Sequence, residues 1–310
     1  MILKESSILF AFGVAFIGTA AFTPLVRLLA RKKDWIAQPS GDRWHTKPTA
    51  LMGGIAIYAG FSIPVLAVAD FNELFTYAVG LTLNIGPPSI AAILWIGATL
   101  LFLLGIFDDR RHIKPQTKLV GQILAAAIVV FFDFRLHWFT SLTLDTMVTL
   151  FWIIGITNAY NLLDNMDGLC SGTGLIAAFY LLFLISSGSP QGAVCALALI
   201  GALAGFLIYN FKPASIFMGD CGSLVIGFVL AVLTLVFTEA RTANPISIYA
   251  VPIMLQLVPI FDTSMVTIIR ILSGRKASQG GRDHTSHRLV LTGFSERSAV
   301  FFFFNDTATT

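Results

Sequence analysis

Gly105-Ile-Phe-Asp-Asp-Arg-Arg-His-Ile-Lys-Pro-Gln-Thr-Lys118 separates two apolar runs, one from Ile90 to Phe107 and one that starts at Leu119. Two adjacent carboxylates, Asp108 and Asp109, stand where the first run stops, and Arg110, Arg111, Lys114 and Lys118 follow at once. Taken alone, the stretch has two readings. It is a solvated charged turn at a helix end, or it is a site at a membrane surface where a charged substrate meets a metal ion.

Outward from this stretch the chain stays apolar. Of 310 residues, 56% are hydrophobic and only 12% charged, about half the charge of a soluble domain. The chain therefore reads as an integral membrane protein with no polar stretch long enough for a separate soluble domain. A span needs about 20 mostly apolar residues. Nine candidates stand at roughly 8–30, 50–69, 89–107, 119–134, 145–162, 173–188, 191–209, 222–238 and 247–271. The first is too long for a signal-peptide core and is expected to be retained. Only an all-α, polytopic class fits, because barrel strands would alternate and be half this length. The three cysteines, Cys170, Cys195 and Cys221, have neither zinc nor redox spacing and read as buried thiols.

Orientation follows from Lys and Arg. Counting loops alternately puts seventeen of the twenty on one side, and Lys4, Arg135 and Arg241 on the other. The first side is expected to be cytoplasmic and the N-terminus outside. Every polar-dense segment falls on that cytoplasmic side. A transporter would place its key polar groups near the midplane, in broken helices of two repeats, and no such repeat is visible. One-sided loops rich in acids, amides and histidines fit an enzyme working at the inner face.

Those loops carry three kinds of chemistry. In Asn158-Ala-Tyr-Asn-Leu-Leu-Asp-Asn-Met-Asp-Gly168, residues Asn158, Asn161, Asp164 and Asn165 share one helix side, where amides and carboxylates can bond a nucleobase or sugar. In Asn210-Phe-Lys-Pro-Ala-Ser-Ile-Phe-Met-Gly-Asp-Cys-Gly-Ser223, Asp220 precedes an apolar helix. It reads equally as a cap and as a hard oxygen ligand for Mg²⁺, and Phe217 could stack on a base. In Arg275-Lys-Ala-Ser-Gln-Gly-Gly-Arg-Asp-His-Thr-Ser-His-Arg288, the histidines and arginines make a cationic cluster suited to phosphate oxygens. Two histidines without a third soft ligand argue against zinc. His45, Lys47, Gly53 and Gly54 add a weaker motif before the second span, and Asp262 in the ninth span is expected to pair with a basic group or cap a polar cavity. Carboxylates for a cation, amides for a nucleotide and cations for phosphates together match phosphoryl transfer.

With Phe107-Asp-Asp109, Asn158 to Gly168, Phe217-Met-Gly-Asp220 and Asp283-His-Thr-Ser-His-Arg288 in this order, the chain resembles the polyprenyl-phosphate N-acetylhexosamine-1-phosphate transferases, from His45 to about Arg297. The last motif is closer to the branch using UDP-N-acetylglucosamine than to the phospho-N-acetylmuramoyl-pentapeptide branch, whose adjacent histidines are absent. The resemblance implies transfer of a sugar 1-phosphate, GlcNAc-1-phosphate first, from a UDP-sugar to undecaprenyl phosphate, with release of UMP, at the start of cell-envelope glycan synthesis. It implies Mg²⁺ (or Mn²⁺) on Asp220, with catalytic Asp108 and Asp109 beside it, Asp109 nearer the metal and Asp108 nearer the lipid phosphate. It further implies that Asn158, Asn161, Asp164, Asp167, Asn210 and Phe217 bind the nucleotide sugar, that Arg282, His284 and His287 hold the diphosphate, and that Lys47 and Lys118 contact the lipid phosphate. The implied partners are a UDP-N-acetylhexosamine, undecaprenyl phosphate and the lipid bilayer. A homodimer is left open, and no nucleic acid is implied.

Family members continue with one or two more spans. Here a tenth helix starts near Gly293 and Phe301-Phe-Phe-Phe-Asn-Asp-Thr-Ala-Thr-Thr310 has too few apolar residues to complete it. The expectation is a single transmembrane domain over residues 1–300 and a non-native tail over 301–310. Among rivals, a CDP-alcohol phosphotransferase would follow Asp164-x-x-Asp-Gly168 with Ala-Arg, but Leu169-Cys-Ser-Gly172 stands there. A transporter remains the alternative outside enzyme chemistry.

Overall fold

The computed structural model describes residues 5–39, 47–80, 88–240, 245–275, 281 and 283–309. Helices dominate it. They are α1 (Glu5–Lys32), α2 (Gly54–Val68), α3 (Phe71–Ala78), α4 (Ile90–Arg111), α5 (Pro115–Phe131), α6 (Leu142–Leu163), α7 (Leu169–Ile185), α8 (Pro190–Asn210), α9 (Asp220–Ala240), α10 (Pro245–Leu255), α11 (Leu257–Leu272), α12 (Thr285–Leu291) and α13 (Glu296–Thr309). All nine apolar runs of the sequence meet a helix. Five of these helices are long and apolar enough to cross a membrane, and up to seven spans result if each bent pair counts as one. The pairs are α2 with α3, bent by 73°, and α10 with α11, bent by 69°. Helices α5 and α7, at 17 residues, stand at the lower end of the length that a crossing takes. The chain is an all-helical, polytopic membrane protein.

Helix α9 is the axis of the bundle. Its sequence is apolar on every side, so it is stable only where every side is covered, and α4, α6 and α7 pack around it. Leu224, Phe228, Leu230 and Leu233 have no exposed surface. The outer helices instead turn large apolar side chains outward: Phe151 is 79% exposed and Leu272 82%, as lipid contact requires. In soluble proteins, apolar patches of this extent are rare.

Three features depart from a simple row of spans. Helix α2 stops at Ala69, and the Asp70 carboxylate then caps α3 by accepting from the amides of Asn72 and Glu73, each at 3.0 Å. The ninth run breaks at Gln256, a buried residue between Pro252 and Pro259; Tyr160 donates its hydroxyl to the Gln256 side chain at 2.9 Å. A two-stranded antiparallel hairpin, β1 (Ile36–Ala37) with β2 (Thr49–Ala50), joins α1 to α2. Helix α13 runs on across residues 301–309, buries Phe303 and packs on α7.

Candidate active site

Alternate loops meet at one end of the bundle. The C-terminal ends of α4, α6 and α8 and the starts of α5, α7 and α9 lie there, as an up-and-down chain requires. Between them is a cavity of about 520 Å³, lined among others by Lys47, Asp108, Asp109, Asp164, Asp167, Asn210, Phe217, Asp220 and His287. Residues as far apart in sequence as Lys47 and Glu296 thus share one space.

Asp220 opens α9, and Gly219 before it adopts φ +72°, a left-handed conformation that glycine tolerates best. Asp109 reaches this turn from α4. Its Oδ1 accepts the Asp220 amide at 2.8 Å and its Oδ2 the Cys221 amide at 3.1 Å. Both oxygens of Asp109 therefore satisfy the first N–H groups of α9, which have no partner within the helix. A Cβ on Gly219 would lie 2.7 Å from Asp109 Oδ2, so the missing side chain lets the carboxylate in.

Asp108 points another way. Its Oδ1 accepts the Ile113 amide at 2.8 Å, beyond the left-handed residue His112 that ends α4. Its Oδ2 lies 3.1 Å from Lys118 Nζ. The same ammonium contacts Asp220 Oδ2 and donates to Asn161 Oδ1 at 3.1 Å. Asn161 returns its amide to Asp220 Oδ1 at 2.9 Å and to Ser223 Oγ at 2.8 Å. Thus both aspartates of the pair stand beside Asp220, Asp108 through a shared lysine and Asp109 through the backbone.

The amides and acids of the last turns of α6 and of the loops beyond it divide by depth. Asn158 exchanges hydrogen bonds with Gln122, at 2.8 and 3.1 Å, and does not line the cavity. Asp167 lines it and accepts the Ala214 amide at 2.9 Å. Asn210 also lines it, but its side chain is spent on structure: it accepts from Gly168 N–H and Ser171 Oγ and donates to the Ile216 carbonyl. Phe217 is set by main-chain bonds, its N–H to Ala50 and its carbonyl to Gly53 N–H, each 2.8 Å.

Asp164, just past the end of α6, also faces the cavity, and its carboxylate takes no hydrogen bond among the described residues. Burial, with Asp220, Asp109 and Asp167 nearby, raises its pKa well above the usual carboxylate range. A carboxyl whose folded pKa exceeds its unfolded value loses stability as pH rises through the interval between the two. In a chelating buffer Asp164→Asn is therefore expected to unfold a few degrees higher than the parent at pH 8, and the gain should vanish near pH 4. Thermal unfolding at the two pH values checks this.

The segment from 283 to 291 is tied down at three points. Asp283 pairs with Arg275 at 3.0 Å and Arg270 at 3.2 Å. The Arg275 guanidinium, helped by Arg270, holds the Asp283 carboxyl below its ordinary range. His284 Nδ1 lies 2.8 Å from Asp262 Oδ2, and Asp262 Oδ1 accepts the Thr285 amide at 2.8 Å. Ser286 Oγ donates to Asn165 Oδ1 at 2.7 Å, and His287 Nε2 is 3.3 Å from the Asn165 carbonyl. His287 lines the cavity and His284 stands behind it, the rings 5.6 Å apart. Arg282 and His45 lie outside the described residues. The basic group expected beside Asp262 is His284, whereas the sequence does not name the partners of Asn165. A buried acid in the ninth span was the available signal for the first; nothing local signals the second.

No group of three or more His, Cys, Asp or Glu side chains among the described residues could hold a metal ion by itself. Asp108, Asp220 and the Asn161 amide nevertheless form an oxygen-only donor set around one cationic position. Mg²⁺ usually takes one or two carboxylates and completes its shell with water and substrate phosphates. The donors present fit that pattern and do not fit a closed structural metal site.

The glycosyl transferase family 4 model matches residues 91–238, which include the aspartate pair, the α6–α7 loop and Asp220. A probable undecaprenyl-phosphate N-acetylglucosaminyl 1-phosphate transferase of Bacillus subtilis (strain 168) is 34% identical over 303 residues, covering 94% of this chain and 80% of the relative. This chain belongs to glycosyl transferase family 4. Other members extend the likeness. A decaprenyl-phosphate N-acetylglucosaminephosphotransferase of Mycolicibacterium smegmatis is 31% identical over 312 residues, covering 90% of this chain and 74% of its own. A phospho-N-acetylmuramoyl-pentapeptide-transferase of Enterococcus faecalis is 30% identical over 322 residues, covering 94% and 92%. The family 4 membership makes the chain an enzyme of the sugar-phosphate transferase type.

Proposed function

We propose that this family 4 protein transfers GlcNAc-1-phosphate from UDP-N-acetylglucosamine to undecaprenyl phosphate, releasing UMP. The observation that carries the reading is the shared cavity in which Asp108, Asp164, Asp167 and Asp220 meet Lys47 and His287, in a chain whose relatives bear transferase names of this kind. The pentapeptide-transferase relative belongs to a second branch. The separated His284 and His287 favour the first, and a panel of UDP-sugars discriminates the two.

Asp220 would hold Mg²⁺ (or Mn²⁺), which when bound neutralises diphosphate charge, and its companion is Asp108 in place of the Asp109 expected from the resemblance, because both Asp109 oxygens are taken by backbone amides. Asp109 positions Asp220 by holding the start of α9. Lys118 and Lys47 neutralise the lipid phosphate. His287, supported by His284 and Asp262, faces the diphosphate, and Arg282 is assigned to the same group from its place in the sequence alone. Asp164, Asp167 and Phe217 line the uridine-sugar side, with Asn161 holding Asp220 and Asn158 and Asn210 bracing the walls. An oxygen of the lipid phosphate bonds to the β-phosphorus, the bond from that phosphorus to the bridging oxygen breaks, and UMP leaves with the electron pair. A phosphate monoester has its second pKa near about 6, so the nucleophile arrives ionised and needs no strong base. Asp108→Asn, which keeps an acceptor for Ile113 N–H, should then lower kcat by less than about a hundredfold, below the typical cost of losing a general base. Steady-state kinetics of the variant measure this.

The same reading gives nine crossings, an outer N-terminus and a cytoplasmic cavity in the cell membrane, supported by the one-sided Lys and Arg distribution. It treats residues 1–300 as one transmembrane domain and 301–310 as foreign, which an independently sequenced gene copy checks. Pairing into a homodimer is tested by light scattering of the purified protein. The functional test is UMP release from UDP-N-acetylglucosamine by membranes. Release that depends on added undecaprenyl phosphate and Mg²⁺ supports transfer, whereas uptake of substrate without UMP supports a transporter.

A further inference from the structure

A second cavity, of about 840 Å³, opens beside the first between the end of α1, the hairpin arm and the end of α4. Lys33, Arg110, Arg111 and His112 line it with Trp35, and the Arg110 guanidinium lies 4.3 Å from the centre of the Trp35 ring. Among the described residues these four basic side chains make no ion pair. The cavity also holds two acids. Asp109 is committed to the amides of α9, and Asp34 is exposed. Helix C-termini attract cations by their own dipoles, which accounts for basic residues at the ends of α1 and α4. It does not account for their convergence on one concave space around a stacked arginine, whose in-plane donors stay available for an oxyanion.

The cavity also has an apolar approach. Leu29 lines it and is 44% exposed, and Leu25, one turn deeper on α1, is 60% exposed. A phosphate head with an apolar tail matches both parts. Asp108 and Asp220 line the first cavity and not the second, so a phosphate seated here lies beside the proposed cation site and does not occupy it. Basic pockets between spans on the cytoplasmic side are a recurrent setting for anionic lipid heads. We propose that this second cavity seats the headgroup of an anionic membrane phospholipid, separate from the acceptor lipid. Its occupant would lie against Leu51, Asp109 and His112, which both cavities share.

The test uses the full chain in nanodiscs of phosphatidylcholine with a minor fraction of phosphatidylglycerol, and lipid retention is read by mass spectrometry after extraction. This readout does not depend on the catalytic reading. The parent should retain phosphatidylglycerol preferentially. Lys33→Gln/Arg110→Gln/Arg111→Gln should lose on the order of a hundredfold in that preference, about fivefold per charge. Arg111→Gln alone, which spares the Trp35 stack, should lose about fivefold. Arg31→Gln/Lys32→Gln/Lys114→Gln removes equal charge outside the cavity and should keep the preference. Equal loss in that control would overturn the proposal in favour of diffuse surface attraction, as would unchanged retention in the cavity variants. Undecaprenyl phosphate added to the same discs gives the remaining arm. If it, and not phosphatidylglycerol, is retained by the parent and lost from the cavity variants, the proposal is also overturned.

Discussion

Replacing Asp220 with alanine is expected to abolish transfer, by about three orders of magnitude or more in kcat/KM, and to abolish divalent-cation binding with it. The reason is that Asp220 joins everything the cavity offers a cation. It contacts Lys118, which also reaches Asp108 and Asn161, and it accepts from Asn161 itself. The fold should survive. Without Asp220, Lys118 retains Asp108, and Asn161 retains Ser223 at 2.8 Å. The backbone amides held by Asp109 are unaffected, because they belong to the main chain. Thermal unfolding should therefore change little while Mn²⁺ binding, followed by electron paramagnetic resonance, disappears. An Asp220→Ala protein with full Mg²⁺-dependent turnover would remove Asp220 from the metal site.

Gly105→Ala is expected to be nearly as damaging, by a different route. A Cβ on Gly105 would lie 2.4 Å from Cys221 Cα and 2.5 Å from its nitrogen. These are main-chain atoms at the start of the central helix and have nowhere to go. Relief requires α4 to part from α9, which lengthens the Asp109 bonds that fix Asp220. Forced overpacking of a tight core costs about 1–3 kcal/mol, occasionally more. A displacement near 1 Å in a catalytic constellation costs about a hundredfold in rate. Gly155→Ala is the control, since a Cβ there meets nothing within 4 Å and alanine favours a helix over glycine. Expression, unfolding temperature and kcat/KM of the two variants should diverge sharply.

Much of this architecture is readable from the sequence because lipid imposes so strict a rule. A backbone in hydrocarbon must satisfy its own hydrogen bonds over about 20 apolar residues, and all nine apolar runs meet helices. The alternate-loop count also brings Asp108, Asp164, Asp220 and His287 to one end, where they line one cavity. What escapes the sequence is long-range pairing. Asn158, Asn161 and Asn165 are spaced to share a helix side, but α6 ends at Leu163, so only the first two do, and a helix rises about 1.5 Å per residue. The three therefore stand at different depths and meet Gln122, Asp220 and Ser286 respectively. Asp108 and Asp109 are neighbours in sequence with unlike duties, because successive residues point to different helix sides. Only the position of α9 shows that Asp109 holds backbone amides while Asp108 faces Lys118. The bend at Gln256 and the hairpin β1–β2 likewise depend on partners, Tyr160 for the one and the 216–218 strand-like segment for the other.

The central claim is that the β-phosphorus of the nucleotide sugar, and not the sugar alone, moves to the lipid. Purified protein supplied with undecaprenyl phosphate, Mg²⁺ and UDP-N-acetylglucosamine carrying ³²P at the β position tests it directly. The label is expected to pass to the organic phase in a lipid-linked sugar diphosphate, mole for mole with UMP in the water. Label that stays in the aqueous phase as UDP, with sugar alone on the lipid, would contradict it.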